Sequence, residues 1–161
     1  MYPDFYQEYL DTDKAEYRKI LYVSNPNKYL ITLLLLESSK DYKIIIFSDN
    51  LFTIEQYNKF FLQKKLNFGM IRVGKEMSDK VRNDILEDFR NDSDINILLM
   101  TKVGDISIDI PNANIIIQVS THYGSKMQEA KRFGRILRAK KDIFSKYNSF
   151  FILLYQKKEK K

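Results

Sequence analysis

Cysteine is absent from the 161-residue sequence. That excludes disulfides and thiolate zinc sites, and it fits a reducing compartment. The one histidine, His122, is too little for an imidazole metal cluster and reads as a loop or surface side chain. No hydrophobic run comes near the ~20 apolar residues needed to span a bilayer. The longest aliphatic run, Leu33 to Leu36, is far shorter. The N-terminus is acidic and aromatic (Asp4, Phe5, Tyr6, Glu8) rather than basic and then apolar. It does not read as a secretory signal, and no membrane partner is expected. Internal repeats, low-complexity linkers and a second composition regime are also missing. One domain over residues 1–161 is expected, with 1–40 as an N-terminal helical segment and 156–161 as a basic tail.

What is present is a globular composition, 44% hydrophobic and 14% aromatic, enough to build a substantial core. Lysine and arginine total 27 against 21 acidic residues, a net charge of +6. Such a surface suits polyanions. The abundance of lysine, asparagine and isoleucine equally fits a coding bias toward A- and T-rich codons, and the Lys157–Lys161 tail supplies part of the excess. Charge admits nucleic acid as a partner without establishing it.

Strand-type runs alternate with helix-type stretches, the pattern of a parallel sheet flanked by helices. Lys43–Phe47 is a continuous apolar run of the kind buried on both faces. Ser48, Asp49 and Asn50 can cap a helix from about Leu51 to Lys65, with Ile54, Tyr57 and Phe61 on one face. Phe68–Val73 reads as a second strand. Ser78-Asp79 opens a helix to about Arg90, with Val81, Ile85 and Phe89 as its apolar stripe. Ile95–Met100 and Asn114–Val119 read as strands, Ser125–Arg138 as a helix, and Phe150–Tyr155 as a last strand. Pro3–Leu10 is expected to be a short helix, and a longer one begins at Pro26, with Asn27–Ser39 behind it.

Three stretches bear on chemistry. Gly69 to Lys75 matches the phosphate-loop spacing G-x-x-x-x-G-K, but Glu76 stands where a magnesium-ligating hydroxyl belongs. A carboxylate there repels phosphate, and Met70–Val73 reads as strand. No Asp-Glu pair comes after an apolar run either, so the phosphate-loop and magnesium half of an ATPase is not in this sequence. Thr101 to Pro111 comes directly after a buried strand, which is where open α/β sheets bind ligands. In it Thr101 offers a hydroxyl, Gly104 permits close backbone approach, and Asp109 can accept from a ribose hydroxyl or a partner arginine; an ordinary turn capped by Asp109 is the plainer alternative. On a helix, Arg135 and Arg138 share a face, with Arg132 and Gln128 one and two turns back. Two arginines aimed together can donate bidentate bonds to a terminal phosphate; a solvated basic face is the alternative.

In this order the segments resemble superfamily 2 helicases. Lys43–Asn50 is similar to motif IV, the Thr101 loop to motif V, and Gln128–Arg138 to motif VI, with Gly74, Arg82 and Phe89 fitting between. Pro3–Tyr9, Asn25-Pro-Asn-Lys28, Phe47–Asn50, Lys102–Asp105, Gly124-Ser125, Gln128-Glu-Ala130, Lys131–Lys141 and Tyr147–Phe151 narrow the resemblance to one branch. It is the xeroderma pigmentosum group B (XPB-type) DNA helicases of transcription factor IIH, and the likeness covers nearly the whole chain. Lys131 departs from the glutamine or histidine of many motif VI sequences.

The resemblance implies an α/β, three-layer RecA-like domain with a mainly parallel sheet, serving as the second motor lobe of an ATP-dependent 3′-to-5′ DNA helicase or translocase. It implies roles in transcription initiation and nucleotide excision repair, in the nucleus. Arg135 and Arg138 would be arginine fingers, while Asp109, Gln128 and Gly104 would bind ATP and couple it to DNA. Thr101, Lys102, Ser48 and Asn50 would meet nucleic acid. ATP and Mg2+ are the implied cofactors, Mg2+ held by an N-terminal lobe, and the implied partners are DNA, that lobe and other transcription factor IIH subunits. The fragment alone would be inactive. Two alternatives stand beside this: the second lobe of another superfamily 2 helicase, RNA helicases included, and a catalytically silent partner-binding module. The cleft face is expected where the strands end, after Phe47, Met100 and Val119.

Overall fold

The computed structural model describes residues 3–72, 77–91, 95–101, 113–120 and 150–154. Their elements run α1 (Pro3–Asp11), α2 (Ala15–Val23), α3 (Pro26–Ser38), β1 (Ile44–Ser48), α4 (Leu51–Gln63), β2 (Gly69–Ile71), α5 (Asp79–Arg90), β3 (Ile97–Thr101), β4 (Ile115–Ser120) and β5 (Phe150–Leu153). Among the described residues the strands form one sheet in the order β2-β3-β1-β4-β5, and every neighbouring pair is parallel.

Strand β1 is central and buried along its whole length, because both faces of the sheet are covered. Its residues alternate between two cores. Ile45 and Phe47 join Leu98, Met100 and Ile116 beneath Leu86 and Phe89 of α5. Ile44 and Ile46 join Leu99, Ile115, Ile117 and Val119 beneath Leu36 of α3 and Ile54, Tyr57 and Phe61 of α4. Burying side chains of this size stabilises by about 1.5–3 kcal/mol each, which is why the isoleucine-rich runs become strands in the middle layer.

Helix signals in the sequence correspond to the helix ends. Asn50 caps α4 by accepting from Phe52 N at 2.9 Å, and Ser78 caps α5 by accepting from Val81 N at 3.3 Å. Asn25 caps α3 just ahead of Pro26 by accepting from Asn27 N at 3.0 Å. At its far end α4 closes with Lys65 in the left-handed region at φ 55. Lys65 N donates to Leu62 O and Leu66 N to Phe61 O, the paired bonds of a Schellman turn, usually a glycine's place.

One expectation needs sharpening and one needs correction. Helix α2 falls within the helical segment expected over 1–40, but its bounds were not read, because its apolar residues do not mark the buried face: Tyr17, Ile20 and Leu21 share helical spacing, yet only Leu21, with Val23, is buried. Nor does Lys14 at its N-cap make a capping bond. In α5 Val81 is exposed, and the buried face is Leu86 and Phe89 with Ile85 packed against it. A strict four-residue step drifts about 40° per turn on a 3.6-residue helix, so Val81 has rotated away from the face that Phe89 occupies. The strand bounds differ from the expected ones by no more than two residues. Val73, Tyr155 and residues 125–138 lie outside the described residues.

Candidate functional site

Three adjacent strands end in a hydroxyl. Ser48 of β1 is in register with Thr101 of β3 on one side and Ser120 of β4 on the other. All three are buried. The connection leaving β1 runs toward the β2 edge through α4, while β4 is succeeded in the sheet by β5 on the opposite side. The boundary between β1 and β4 is therefore the topological switch point, where open α/β sheets leave a crevice beyond the strand ends. Ser48 Oγ and Ser120 Oγ hydrogen-bond across that boundary at 2.5 Å.

Ser48 also accepts from Asn50 N at 3.0 Å. This short turn delivers Asn50 to the α4 N-cap, so β1 passes into α4 with its end pinned. An apolar strand leading into Ser-Asp-Asn folds this way because the hydroxyl and amide side chains satisfy backbone N–H groups that have no strand or helix partner.

The β1–β4 ladder is irregular at this end. Phe47 faces Gln118, but Ser48 faces Ser120, leaving Val119 as the extra residue of a bulge. The carbonyl of Val119 accepts from Lys28 Nζ at 3.0 Å, reaching across from the first turn of α3. Lys28 is only 4% exposed, and its ammonium lies 3.9 Å from the centre of the Tyr22 ring. Burial pulls its pKa down to about 8. Just before the bulge, Gln118 Nε2 donates across it to Ser120 O at 3.0 Å, and Gln118 Oε1 is buried without a partner.

The network continues into the helices. Thr32 Oγ1 donates to Lys28 O at 2.8 Å and bonds the Tyr57 hydroxyl of α4 at 3.2 Å. Desolvation raises the pKa of both Tyr57 and Tyr29. These phenols stay neutral at physiological pH, as a buried polar chain under apolar cover requires.

Of the sequence-designated residues, the structure brings Ser48, Asn50 and Thr101 together at this edge. Ser48 and Asn50 are engaged in internal bonds there, and Thr101 is buried. Lys102, Gly104, Asp109, Gln128, Arg135 and Arg138 lie outside the described residues, as does the basic surface around Lys126. Among the described residues no group of three His, Cys, Asp or Glu side chains is placed to hold a metal ion. The glycine of the G-x-x-x-x-G-K stretch serves packing: Gly69 lies in β2, where a Cβ would come 2.8 Å from Ile85 Cγ2.

Sequence reasoning located the strand ends but missed Ser120, Gln118 and Lys28. Ser120 carried a usable signal, since Ile-Ile-Ile-Gln-Val-Ser repeats the apolar-run-then-serine pattern of Ile44–Ser48. Lys28 was marked only as the end of the Asn25-Pro-Asn-Lys28 segment that the resemblance rests on, with nothing local to show that it is buried.

Comparison with known proteins adds an independent finding. The family model described as ERCC3/RAD25/XPB C-terminal helicase matches residues 1–160. The chain is 42% identical over 159 residues to the "General transcription and DNA repair factor IIH helicase/translocase subunit XPB" of Dictyostelium discoideum, covering 98% of this chain and 19% of that protein. It is 40% identical over 159 residues to the corresponding XPB/SSL2 subunit of Saccharomyces cerevisiae, covering 98% of this chain and 18% of that protein. It therefore spans about a fifth of the length of the curated relatives it matches. Among solved structures, the SWI2/SNF2 ATPase core of Sulfolobus solfataricus in complex with dsDNA superposes with a TM-score of 0.62 at 15% identity, covering 93% of this chain and 35% of that one. The sheet with its flanking helices is thus the RecA-like fold of helicase and translocase lobes.

Proposed function

The chain belongs to the ERCC3/RAD25/XPB C-terminal helicase family, and from that premise we propose that it is the second motor lobe of an ATP-dependent DNA helicase or translocase. The observation that carries the reading is the row of strand-end hydroxyls, Thr101, Ser48 and Ser120, at the switch point of the sheet. In this fold that edge faces the nucleotide crevice. The two strands flanking β1 end there, and in sequence they lead directly into the Thr101–Pro111 and Gln128–Arg138 segments.

In this reading Arg135 and Arg138 neutralise charge on the transferring phosphoryl group, and Asp109, Gln128 and Gly104 bind nucleotide and relay its state. Thr101 and Lys102, with the Ser48–Asn50 turn, support contact with the DNA backbone, which phosphate contacts would make independent of sequence. Magnesium belongs to the N-terminal lobe, where it offsets phosphate charge. The support is the missing phosphate-loop hydroxyl at Glu76 and the strand that occupies Gly69–Ile71. The whole protein then acts with other transcription factor IIH subunits in transcription initiation and nucleotide excision repair, in the nucleus. The support is the naming of relatives about 40% identical as subunits of a general transcription and DNA repair factor.

Steady-state ATP turnover of the two-lobe protein tests this. Arg135→Ala or Arg138→Ala should lower DNA-stimulated turnover by about 10³-fold, with a smaller effect on ATP affinity. Lysine should substitute poorly, because a point charge does not reproduce the planar fork. Near-normal turnover in both alanine variants would reduce Gln128–Arg138 to a basic surface.

A further inference from the structure

We propose that Lys28 is a positioning residue for the nucleotide-cleft edge: from α3 it clamps the β4 bulge at Val119 and so sets the register in which Ser120 meets Ser48 and the chain leaves the sheet. The inference rests on the motor-lobe reading and adds a residue to it.

The bulge decides which way the chain faces. In a regular ladder the partner after Phe47↔Gln118 would be Ser48↔Val119, whereas the structure pairs Ser48 with Ser120. Side chains alternate across a strand, so losing one extra residue exchanges the faces of Ser120 and of the chain beyond it. Downstream of Ser120 in the sequence is the stretch holding Gln128, Arg132, Arg135 and Arg138. A one-residue slip at β4 would send that stretch from the wrong side of the sheet.

A bulge removes a peptide group from the ladder, and a buried carbonyl without a partner is costly. The carbonyl of Val119 takes the Lys28 ammonium at 3.0 Å. An apolar side chain would fill this site without desolvating a charge. A buried lysine there is therefore explained by the carbonyl it holds, since packing alone does not call for one. The clamp has a fixed base, because Thr32 Oγ1 bonds both Lys28 O and the Tyr57 hydroxyl. Gln118 Nε2 holds the next carbonyl, that of Ser120, at 3.0 Å. Two successive strand-end carbonyls are thus held by side chains.

The test is steady-state ATP turnover with saturating DNA in the full-length protein, comparing wild type, Lys28→Met, Lys28→Arg and Arg135→Ala below the melting temperature of each. Misplacing catalytic groups by about 1 Å costs up to roughly 10²-fold, so Lys28→Met should lower kcat about 10- to 100-fold. KM for ATP should move less than about threefold, since the lost interaction belongs to the transition state. Lys28→Arg, which keeps a donor, should recover most of kcat. Unchanged kcat in folded Lys28→Met would overturn the proposal and leave Lys28 a packing residue. Should Lys28→Met not fold, Lys28→Gln takes its place under the same two readings. A wild type without DNA-stimulated turnover, or full turnover in Arg135→Ala, would instead defeat the motor reading itself, so the two failures are separable.

Discussion

Replacing Gly69 with alanine perturbs the sheet where β2 lies against α5. The new Cβ would sit 2.8 Å from Ile85 Cγ2 and 3.1 Å from Leu98 Cδ1, against an optimum of about 3.5–4.0 Å for carbon pairs. Ile85 Cγ2 belongs to a β-branched side chain on a helix, where one rotamer dominates, so it cannot swing away cheaply. Relief requires α5 to shift. Overpacking of this kind costs about 1–3 kcal/mol, offset by the ~0.5–1 kcal/mol regained when a strand glycine is removed. The net loss should be about 1–2 kcal/mol. Ile85→Ala deletes the obstructing methyl, so the double variant should be more stable than the sum of the singles by about 1 kcal/mol, within the range for touching residues. Urea unfolding of the 161-residue chain with a constant m-value gives all four corners of this cycle. Additivity within about 0.5 kcal/mol would refute the packing argument. Unaltered stability with weakened ATP binding would return Gly69 to the phosphate-loop role that its spacing suggests.

Particular contacts set four further outcomes. Ile45→Ala, Leu98→Ala or Ile116→Ala, each fully buried under α5, should cost about 2–5 kcal/mol in the same unfolding assay. Lys65→Gly should stabilise by about 0.5–1 kcal/mol, because the left-handed cap at φ 55 penalises a side chain more than glycine's added unfolded-state freedom costs. Lys43→Met should destabilise by about 1–3 kcal/mol, since Lys43 Nζ donates to the Phe89 and Arg90 carbonyls at the end of α5. The pH dependence has a definite sign: Lys28 titrates near 8 when folded, below the ordinary lysine value of 10.5. Between those values the unfolded chain binds more protons, so Lys28 should make stability rise as pH rises from about 8 to 10.5 and contribute no slope below. Its neighbours are the Tyr22 ring and the Val119 carbonyl, and no carboxylate among the described residues pairs with it. The rise should reach at most about 3 kcal/mol, reduced by what those two neighbours return to the ammonium, and Lys28→Met should flatten it.

The layers of this domain were legible where one physical signal dominated. Ile44–Phe47 had to be a doubly buried strand because nothing in it can face water, and Asn50 and Ser78 marked helix starts by side chains that accept from backbone N–H groups. Helix α2 was legible only as part of the helical segment expected over 1–40, since which of its faces is buried is set by what packs on it. The strand-end positions of Ser48 and Thr101 could be read from the length of the apolar runs before them. The bulge at Val119 could not, because register depends on the partner strand and here on a lysine 91 residues away in the sequence. Long-range polar clamps of this kind have no local pattern to read.

The chemistry of the edge also argues for how the lobe works. A serine that contacts substrate needs a hydroxyl free to turn toward it. Ser48 instead bonds Ser120 and the Asn50 backbone, all within the fold. Thr101 is buried beside them. The Ser48 and Ser120 hydroxyls therefore form a frame that pins two adjacent strand ends, and in the proposed motor lobe the groups that reach ligand would come from the chain those strands release. That division of labour fits a lobe that supplies part of a site: the edge is rigid because several buried polar bonds must break for it to move. Changing Ser120 to alanine should accordingly lower stability by about 0.5–1.5 kcal/mol through the lost Ser48–Ser120 bond, since Ser48 keeps its bonds to the Asn50 backbone. In the two-lobe protein it should leave the KM for ATP near the wild-type value. A large rise in KM with unchanged stability would mean that Ser120 touches the nucleotide, and the frame would have to be redrawn as a contact surface.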